Sequence, residues 1–192
     1  MRSLLFAGGR SSRMGEDKAL VEVDGEAMIA KVARALSEAG LEPIRIAVAR
    51  PEDVDRFGSV IDEGLRIEWV LDGSMYAGPI EALAEALEDP QCEGMQTLQL
   101  APVDVPWVSS ALFCSLEEGL DEGDALIMPH DGERSHPLLA LIRTNIVLEM
   151  VEGGDRRPLH EQFSEVQHSL LVEDPRMLRN VNNPEDLERY LP

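Results

Sequence analysis

Leu4 to Lys18 reads LLFAGGRSSRMGEDK. A short apolar run, Leu4, Leu5, Phe6 and Ala7, stops at Gly8-Gly9 and gives way to Arg10, Ser11, Ser12, Arg13, Gly15 and Lys18. Glycines let backbone N–H groups turn toward one point and leave room for a ligand to reach the main chain. Guanidinium, ammonium and hydroxyl donors around that point suit phosphate oxygens. The stretch therefore reads as a polyphosphate cradle at the end of a buried strand, with Arg13 and Lys18 as its principal cations. It lacks both the Gly-Lys-Ser/Thr closure of a Walker loop and the G-x-G-x-x-G dinucleotide fingerprint. Residue types alone also suit a glycine-rich turn with solvated charges. The junction of Gly8-Gly9, two arginines and Lys18 directly after an apolar strand favours the cradle.

Asp104 is the second chemical centre. It stands between Pro102 and Pro106, which hold the segment extended. A carboxylate beside bound phosphates is repelled unless a divalent cation lies between them. Mg²⁺, which takes one or two carboxylates plus phosphate oxygens, meets that need. A capping or turn aspartate is the structural alternative for Asp104. Asp72, at the end of the run Ile67–Leu71, is a further carboxylate, although Asp72-Gly73 is also a common turn dipeptide. His136, in Ser135-His136-Pro137, suits a base, a ligand or a satisfied structural histidine. No serine or cysteine triad surrounds it, and the histidines lack zinc spacing.

Positioning these groups is the work of alternating elements. The sequence predicts strands at Leu4–Ala7, Ile44–Val48, Ile67–Leu71 and Thr97–Ala101, with a further apolar stretch at Ala19–Val23 closed by a turn at Asp24-Gly25. Helical periodicity follows at Ile29, Val32, Leu36 and Ala39, stopped by Gly40; at Glu52–Phe57; at Ile80, Leu83, Ala84 and Leu87 after Pro79; and at Leu112, Leu116 and Leu120, capped by Ser109 or Ser110. Strand then helix, four times over, predicts an α/β fold with a mostly parallel sheet and helices on both faces. Beyond it, Ala125–Met128 and Leu138–Ile142 read as an antiparallel strand pair around His130-Asp131-Gly132-Glu133. Helices near Ile146–Val151 and Pro158–Phe163, a strand at Val166–Val172 and a helix from Asn183-Pro184-Glu185 to about Tyr190 complete the chain. Ligands of open α/β sheets bind outside the carboxyl ends of the strands. The cradle, Asp72 and Asp104 each follow one.

Length and composition set the frame. A chain of 192 residues, 44% hydrophobic and 28% charged, is expected to form one domain, spanning residues 1–192, with a sizeable core. No apolar run is long enough for a membrane span. Cys92 and Cys114 form no C-x-x-C pair and point to a reducing, cytoplasmic setting. A net charge of −20 argues against nucleic acid as a partner. In such a protein Arg2, Arg10, Arg13 and Lys18 concentrate positive charge near one end of the chain.

The motifs also carry a resemblance. FAGGRSSRMGEDKALVEVDG resembles the Leu-Ala-Gly-Gly…Arg-Met-Gly…Asp-Lys opening of molybdenum cofactor guanylyltransferases. The likeness continues through Gly78-Pro79, Pro102-x-Asp104-x-Pro106, His130 to Pro137, Gly154-Asp155-Arg156-Arg157 and Asn180 to Leu187, in the family's order. It implies a three-layer α/β/α Rossmann-like nucleotidyltransferase fold with a mostly parallel mixed sheet. The implied reaction joins GMP from GTP to molybdenum–molybdopterin and releases pyrophosphate. By resemblance Phe6, Ala7, Gly8 and Gly9 contact the nucleotide, Arg13 and Lys18 its phosphates, Asp72 the nucleotide, and Asp104 holds Mg²⁺. Arg156, Arg157, Asn180 and Asn182 resemble pterin-side residues, with His136 a further member. The resemblance also implies contact with molybdenum cofactor synthesis or recipient enzymes.

Departures from the family pattern are Phe6 for leucine, Ala47 for a common asparagine, and Ile80-Glu81-Ala82 for Leu-Ala-Gly after Gly78-Pro79. They bear on base choice more than on catalysis. A nucleotidyltransferase using CTP or another phosphorylated acceptor, and a non-catalytic nucleotide-binding protein that delivers cofactor, are the rival readings.

Overall fold

The computed structural model describes residues 1–7, 17–71, 78–155 and 157–190, with residues 188–190 as main chain only. The elements in chain order are β1 (Ser3–Phe6), β2 (Glu22–Val23), β3 (Glu26–Ala27), α1 (Met28–Glu38), β4 (Ile44–Val48), α2 (Pro51–Gly58), β5 (Ile67–Leu71), α3 (Pro79–Glu88), β6 (Thr97–Pro102) and α4 (Ser110–Gly119). Then come β7 (Leu126–His130), β8 (Leu141–Arg143), α5 (Thr144–Glu152), α6 (Leu159–Glu165), β9 (His168–Val172) and α7 (Pro184–Tyr190).

Seven strands form one sheet in the order β5-β4-β1-β6-β8-β7-β9. β8 runs antiparallel to β6 and β7, and the other pairs are parallel. Period-2 alternation sorts the strand side chains onto two faces. Leu5, Ile44, Ile46 and Val48 join Ile29, Val32, Leu36, Phe57, Leu112 and Leu116 beneath α1, α2 and α4. Leu4, Phe6, Leu98 and Leu100 join Leu83, Leu87, Val147, Val151 and Phe163 beneath α3, α5 and α6. Helices thus cover both faces, giving the three-layer α/β/α arrangement.

Local chemistry explains the boundaries. Gly40, at φ +74°, ends α1 in a Schellman motif, with Leu41 N donating to Leu36 O at 3.0 Å and Gly40 N to Ser37 O at 2.8 Å. Asp24 (φ 58°) and Gly25 (φ 81°) both take left-handed backbone, as a two-residue hairpin between β2 and β3 requires. Ser109 Oγ accepts from Leu112 N at 3.4 Å and caps α4.

The structure corrects two expected strands. Leu138–Ile142 is not continuous: Pro137–Leu139 forms a 3₁₀ turn and only Leu141–Arg143 joins the sheet. Pro137 fixes a helical φ at the start of that turn. The Gln99 side-chain amide donates to Leu139 O at 2.8 Å, satisfying a carbonyl of that turn. An unbroken apolar run cannot reveal such a turn, because both conformations bury it. The strand expected at Val166–Val172 likewise begins only at His168. Cys92 is buried and Cys114 exposed. Among the described residues, no helix is long and apolar enough to cross a membrane.

Candidate active site

β1 and β6 are neighbours, and from them the sheet grows outward in opposite directions. Such a switch point opens a crevice at the carboxyl ends of its strands. Phe6, the last residue of β1, is level with Pro102, the last of β6, and Val103 N donates to Phe6 O at 3.3 Å. Ala7 lies one residue beyond and donates to Ala47 O at 3.3 Å. Val103 and Val105 are both buried in the core on the α1 side, which fixes Asp104 between them at the crevice.

Two segments converge on Asp104. Lys18, at the head of a 3₁₀ turn (Lys18–Leu20), donates from Nζ to Asp104 Oδ2 at 3.1 Å and to Asn182 Oδ1 at 2.8 Å. Asn180 Nδ2 donates to the same Asp104 Oδ2 at 3.1 Å. Val181, between the two asparagines, donates its backbone N–H to Asp104 O at 2.8 Å. Its side chain is 0% exposed, packed with Val21, Val23 and Met28 against Trp107 and Leu187. The β2–β3 hairpin thereby clamps the asparagine segment against Lys18 and Asp104.

The Lys18 and Asp104 side chains are 18% and 21% exposed, partly withdrawn from water, where charge-assisted hydrogen bonds gain strength. Both bonds to Asp104 fall on Oδ2. Oδ1 is buried and, among the described residues, has no hydrogen-bond partner. A buried carboxylate oxygen without a donor is costly unless a cation completes it. Among the described residues, no group of three or more His, Cys, Asp or Glu could hold a metal. A hard cation sharing one carboxylate with ligand phosphates fits this donor set, and an all-protein cage does not.

A cavity of about 190 Å³ beside this cluster is lined by Pro102, Asp104, Arg134, His136, Leu139 and Asn180. A more polar one of about 380 Å³ is bordered by Asp131, Arg134, Arg179, Asn180, Asn182 and Asp186. Asn180 and Arg134 border both, so the two spaces flank the cluster.

The model of the MobA-like NTP transferase domain family matches residues 3–166 of this sequence. The chain belongs to that family. Similar proteins include the molybdenum cofactor guanylyltransferases of Photobacterium profundum, 27% identical over 97% of this chain and 93% of the relative, and of Shewanella frigidimarina, 26% identical over 97% and 93%. Among solved structures, a nucleotidyl transferase from Methanothermobacter thermautotrophicus superposes with a TM-score of 0.80 at 17% identity, covering 98% of this chain and 94% of that one. Molybdopterin-guanine dinucleotide biosynthesis protein A from Archaeoglobus fulgidus does so with a TM-score of 0.71 at 18% identity, covering 99% and 96%. The fold is that of these nucleotidyltransferases, and the MobA-like family makes nucleotidyl transfer the chemistry to be explained.

Set against that family, the expected site residues separate into groups. Lys18, Asp104, Asn180 and Asn182 are joined by direct hydrogen bonds. Phe6 and Ala7 end the strand beside them, and His136 shares the smaller cavity with Asp104. Arg157 instead engages its own neighbourhood, at 2.7 Å from Asp155 and 2.6 Å from Glu165, and lines neither cavity. Gly8, Gly9, Arg13, Asp72 and Arg156 lie outside the described residues. The departures Phe6, Ala47, Ile80 and Ala82 fall together in one buried cluster, with Phe6 and Ala47 level on adjacent strands. Sequence order does not display that adjacency.

Asp131, in the loop before His136, borders the larger cavity without having been singled out in the sequence. Its Oδ1 accepts from Glu133 N and Arg134 N, both at 2.9 Å, and its Oδ2 lies 3.0 Å from His136 Nε2. Burial alone pushes the Asp131 carboxyl up, but these donors outweigh it and hold the group well below the usual carboxylate range. Its advance signals were an Asx-turn, Asp131-Gly132-Glu133, and its place in the His130 to Pro137 segment of the family likeness. Asp186 was likewise missed; it accepts from Asn182 N at 2.7 Å and Asn183 N at 3.1 Å, while Asn183 Oδ1 accepts from Asp186 N at 3.1 Å. That reciprocal capping box starts α7 and orients the asparagine segment.

Proposed function

We propose that this chain transfers GMP from GTP to the terminal phosphate of molybdenum–molybdopterin, forming molybdopterin guanine dinucleotide and pyrophosphate. The observation that carries the reading is the pair at the switch point: Lys18 and a carboxylate, Asp104, whose buried Oδ1 is left open. The names of the relatives supply the substrates. We place the reaction in the cytoplasm, with molybdenum cofactor synthesis and recipient enzymes as its neighbours.

No protein nucleophile is needed. The acceptor phosphate is already an anion at neutral pH, and its oxygen attacks the α-phosphorus of GTP. The new P–O bond forms as the bond to the β-phosphate oxygen breaks, and pyrophosphate leaves with that electron pair. The protein's task is positioning and charge neutralisation. Asp104 would hold Mg²⁺ through Oδ1, and the ion would supply charge stabilisation on the reacting phosphate oxygens. Lys18 offsets the charge that develops on pyrophosphate, with Arg13 as its expected partner. Asn180 and Asn182 hold Asp104 and Lys18 in register from the acceptor side.

Incubation with molybdopterin and each Mg²⁺-nucleotide in turn, with mass spectrometry of the product, tests the assignment. The expected product is the guanine dinucleotide. A cytosine dinucleotide in its place would overturn the base choice, and nucleotide binding without pyrophosphate release would overturn the reaction.

A further inference from the structure

Asp17, immediately before Lys18, is where a second helix reaches the site. Its Oδ1 accepts from Ala19 N at 3.3 Å, and Leu20 N closes the same 3₁₀ turn on Asp17 O at 2.9 Å. Its Oδ2 faces α2, at 3.3 Å from Arg56 Nη1 and 3.8 Å from Arg50 Nη2. Both guanidiniums are pinned from behind by Asp53, whose side chain is only 5% exposed. Arg50 grips it with two bonds, Nε to Oδ2 at 3.1 Å and Nη2 to Oδ1 at 2.8 Å, and Arg56 Nη1 donates to Oδ1 at 2.9 Å. Asp53 and Arg56 lie three residues apart on one side of α2, and Arg50, the residue before the helix, meets them there.

We propose that Arg50, Asp53 and Arg56 are positioning residues that act on the reaction through Asp17, fixing the turn from which Lys18 reaches Asp104. Two physical needs meet here. A lysine ammonium rides on a long, rotamer-rich stem, so its reach is defined only if the backbone at its root is fixed. The Asp17 cap fixes it, and the arginine fork holds Asp17 in the capping position. An unneutralised carboxylate next to Lys18 would also compete for its ammonium and repel a polyphosphate. The two guanidiniums offset the charge of Asp17 beside Lys18 and of the buried Asp53 behind it. The same pairing explains why α2 buries an aspartate while Glu52 beside it stays exposed.

The catalytic consequence rests on the role proposed for Lys18, so the test reads backbone and turnover separately. Arg56→Met is the probe, because the Arg56 side chain is 41% exposed and its loss leaves the core intact. Hydrogen exchange at the Ala19 amide is expected to quicken about tenfold while amides of β1 and β4 are unchanged. Turnover with Mg²⁺-GTP and molybdopterin is expected to fall about tenfold through kcat, with the nucleotide KM within about twofold. Arg56→Lys is expected to restore most of it. In an Asp17→Asn background, Arg56→Met is expected to add nothing. Unchanged exchange at Ala19, wild-type kcat in Arg56→Met, or losses that simply add in the double variant would each overturn the proposal. Quickened exchange in a protein whose wild type shows no turnover would uphold the positioning role and overturn the assigned reaction instead.

Discussion

Asp104 and Lys18 stand out in the sequence because each sits at a place where chemistry is confined: after a strand, and beside prolines or glycines. What the sequence hides is pairing across long separations, such as Lys18 with Asn182 or Asp17 with Arg56, since no local pattern encodes it. Asp131 is the clearest case, an ordinary turn aspartate until the fold sets His136 against it. Its pKa carries a consequence for stability. A carboxyl whose folded pKa lies below its unfolded value stabilises the fold above the unfolded value, about 3.9 for aspartate, and loses that contribution as pH falls through the folded one. Asp131→Asn is therefore expected to be less stable than wild type at pH 7. Urea unfolding at a series of pH values should show that deficit constant above about pH 5 and shrinking below about pH 4. A deficit that grows on acidification would contradict the assignment.

At the scale of elements, strands buried on one or both faces announce themselves. The bounds of β4 and β5 are those expected from the apolar runs Ile44–Val48 and Ile67–Leu71, and α3 begins at Pro79 as its ring geometry favours. Leu138–Ile142 misleads because an apolar run buried throughout carries no period to separate turn from strand. The hairpin β2–β3 is legible as a turn at Asp24-Gly25, but its role is not. Only the structure shows Val21 and Val23 gripping Val181 and so holding the two site asparagines. Val181→Ala removes two buried carbons there. It is expected to cost about 2 kcal/mol in urea denaturation and to lower turnover more than an equal loss elsewhere in the core. A variant as destabilised as expected but fully active would separate that clamp from the site.

Across the whole molecule, one sheet ties the parallel half to the mixed half, since β6 bonds to β1 on one side and β8 on the other. The four strand–helix repeats made the first half readable. The second half followed less regular connections, and its order β8-β7-β9 could not be read from chain order alone. We propose that the chain unfolds as a single unit. Differential scanning calorimetry should then give one transition with calorimetric and van't Hoff enthalpies in agreement. Two separable transitions would show that the halves fold independently. The charge of −20 belongs to this scale too: it favours solubility and repels anions everywhere except where Lys18 and its neighbours offset it.

Asp104→Asn keeps the shape of the side chain and an acceptor for Lys18 and Asn180, but places an amide where Oδ1 stands open. Pyrophosphate release from Mg²⁺-GTP in the presence of molybdopterin is expected to fall roughly 10²- to 10³-fold in this variant, as for loss of a preorganised charge at a reacting phosphate. Its melting temperature should stay within about 4 °C of wild type. Release at the wild-type rate, with the same dependence on Mg²⁺, would contradict the account.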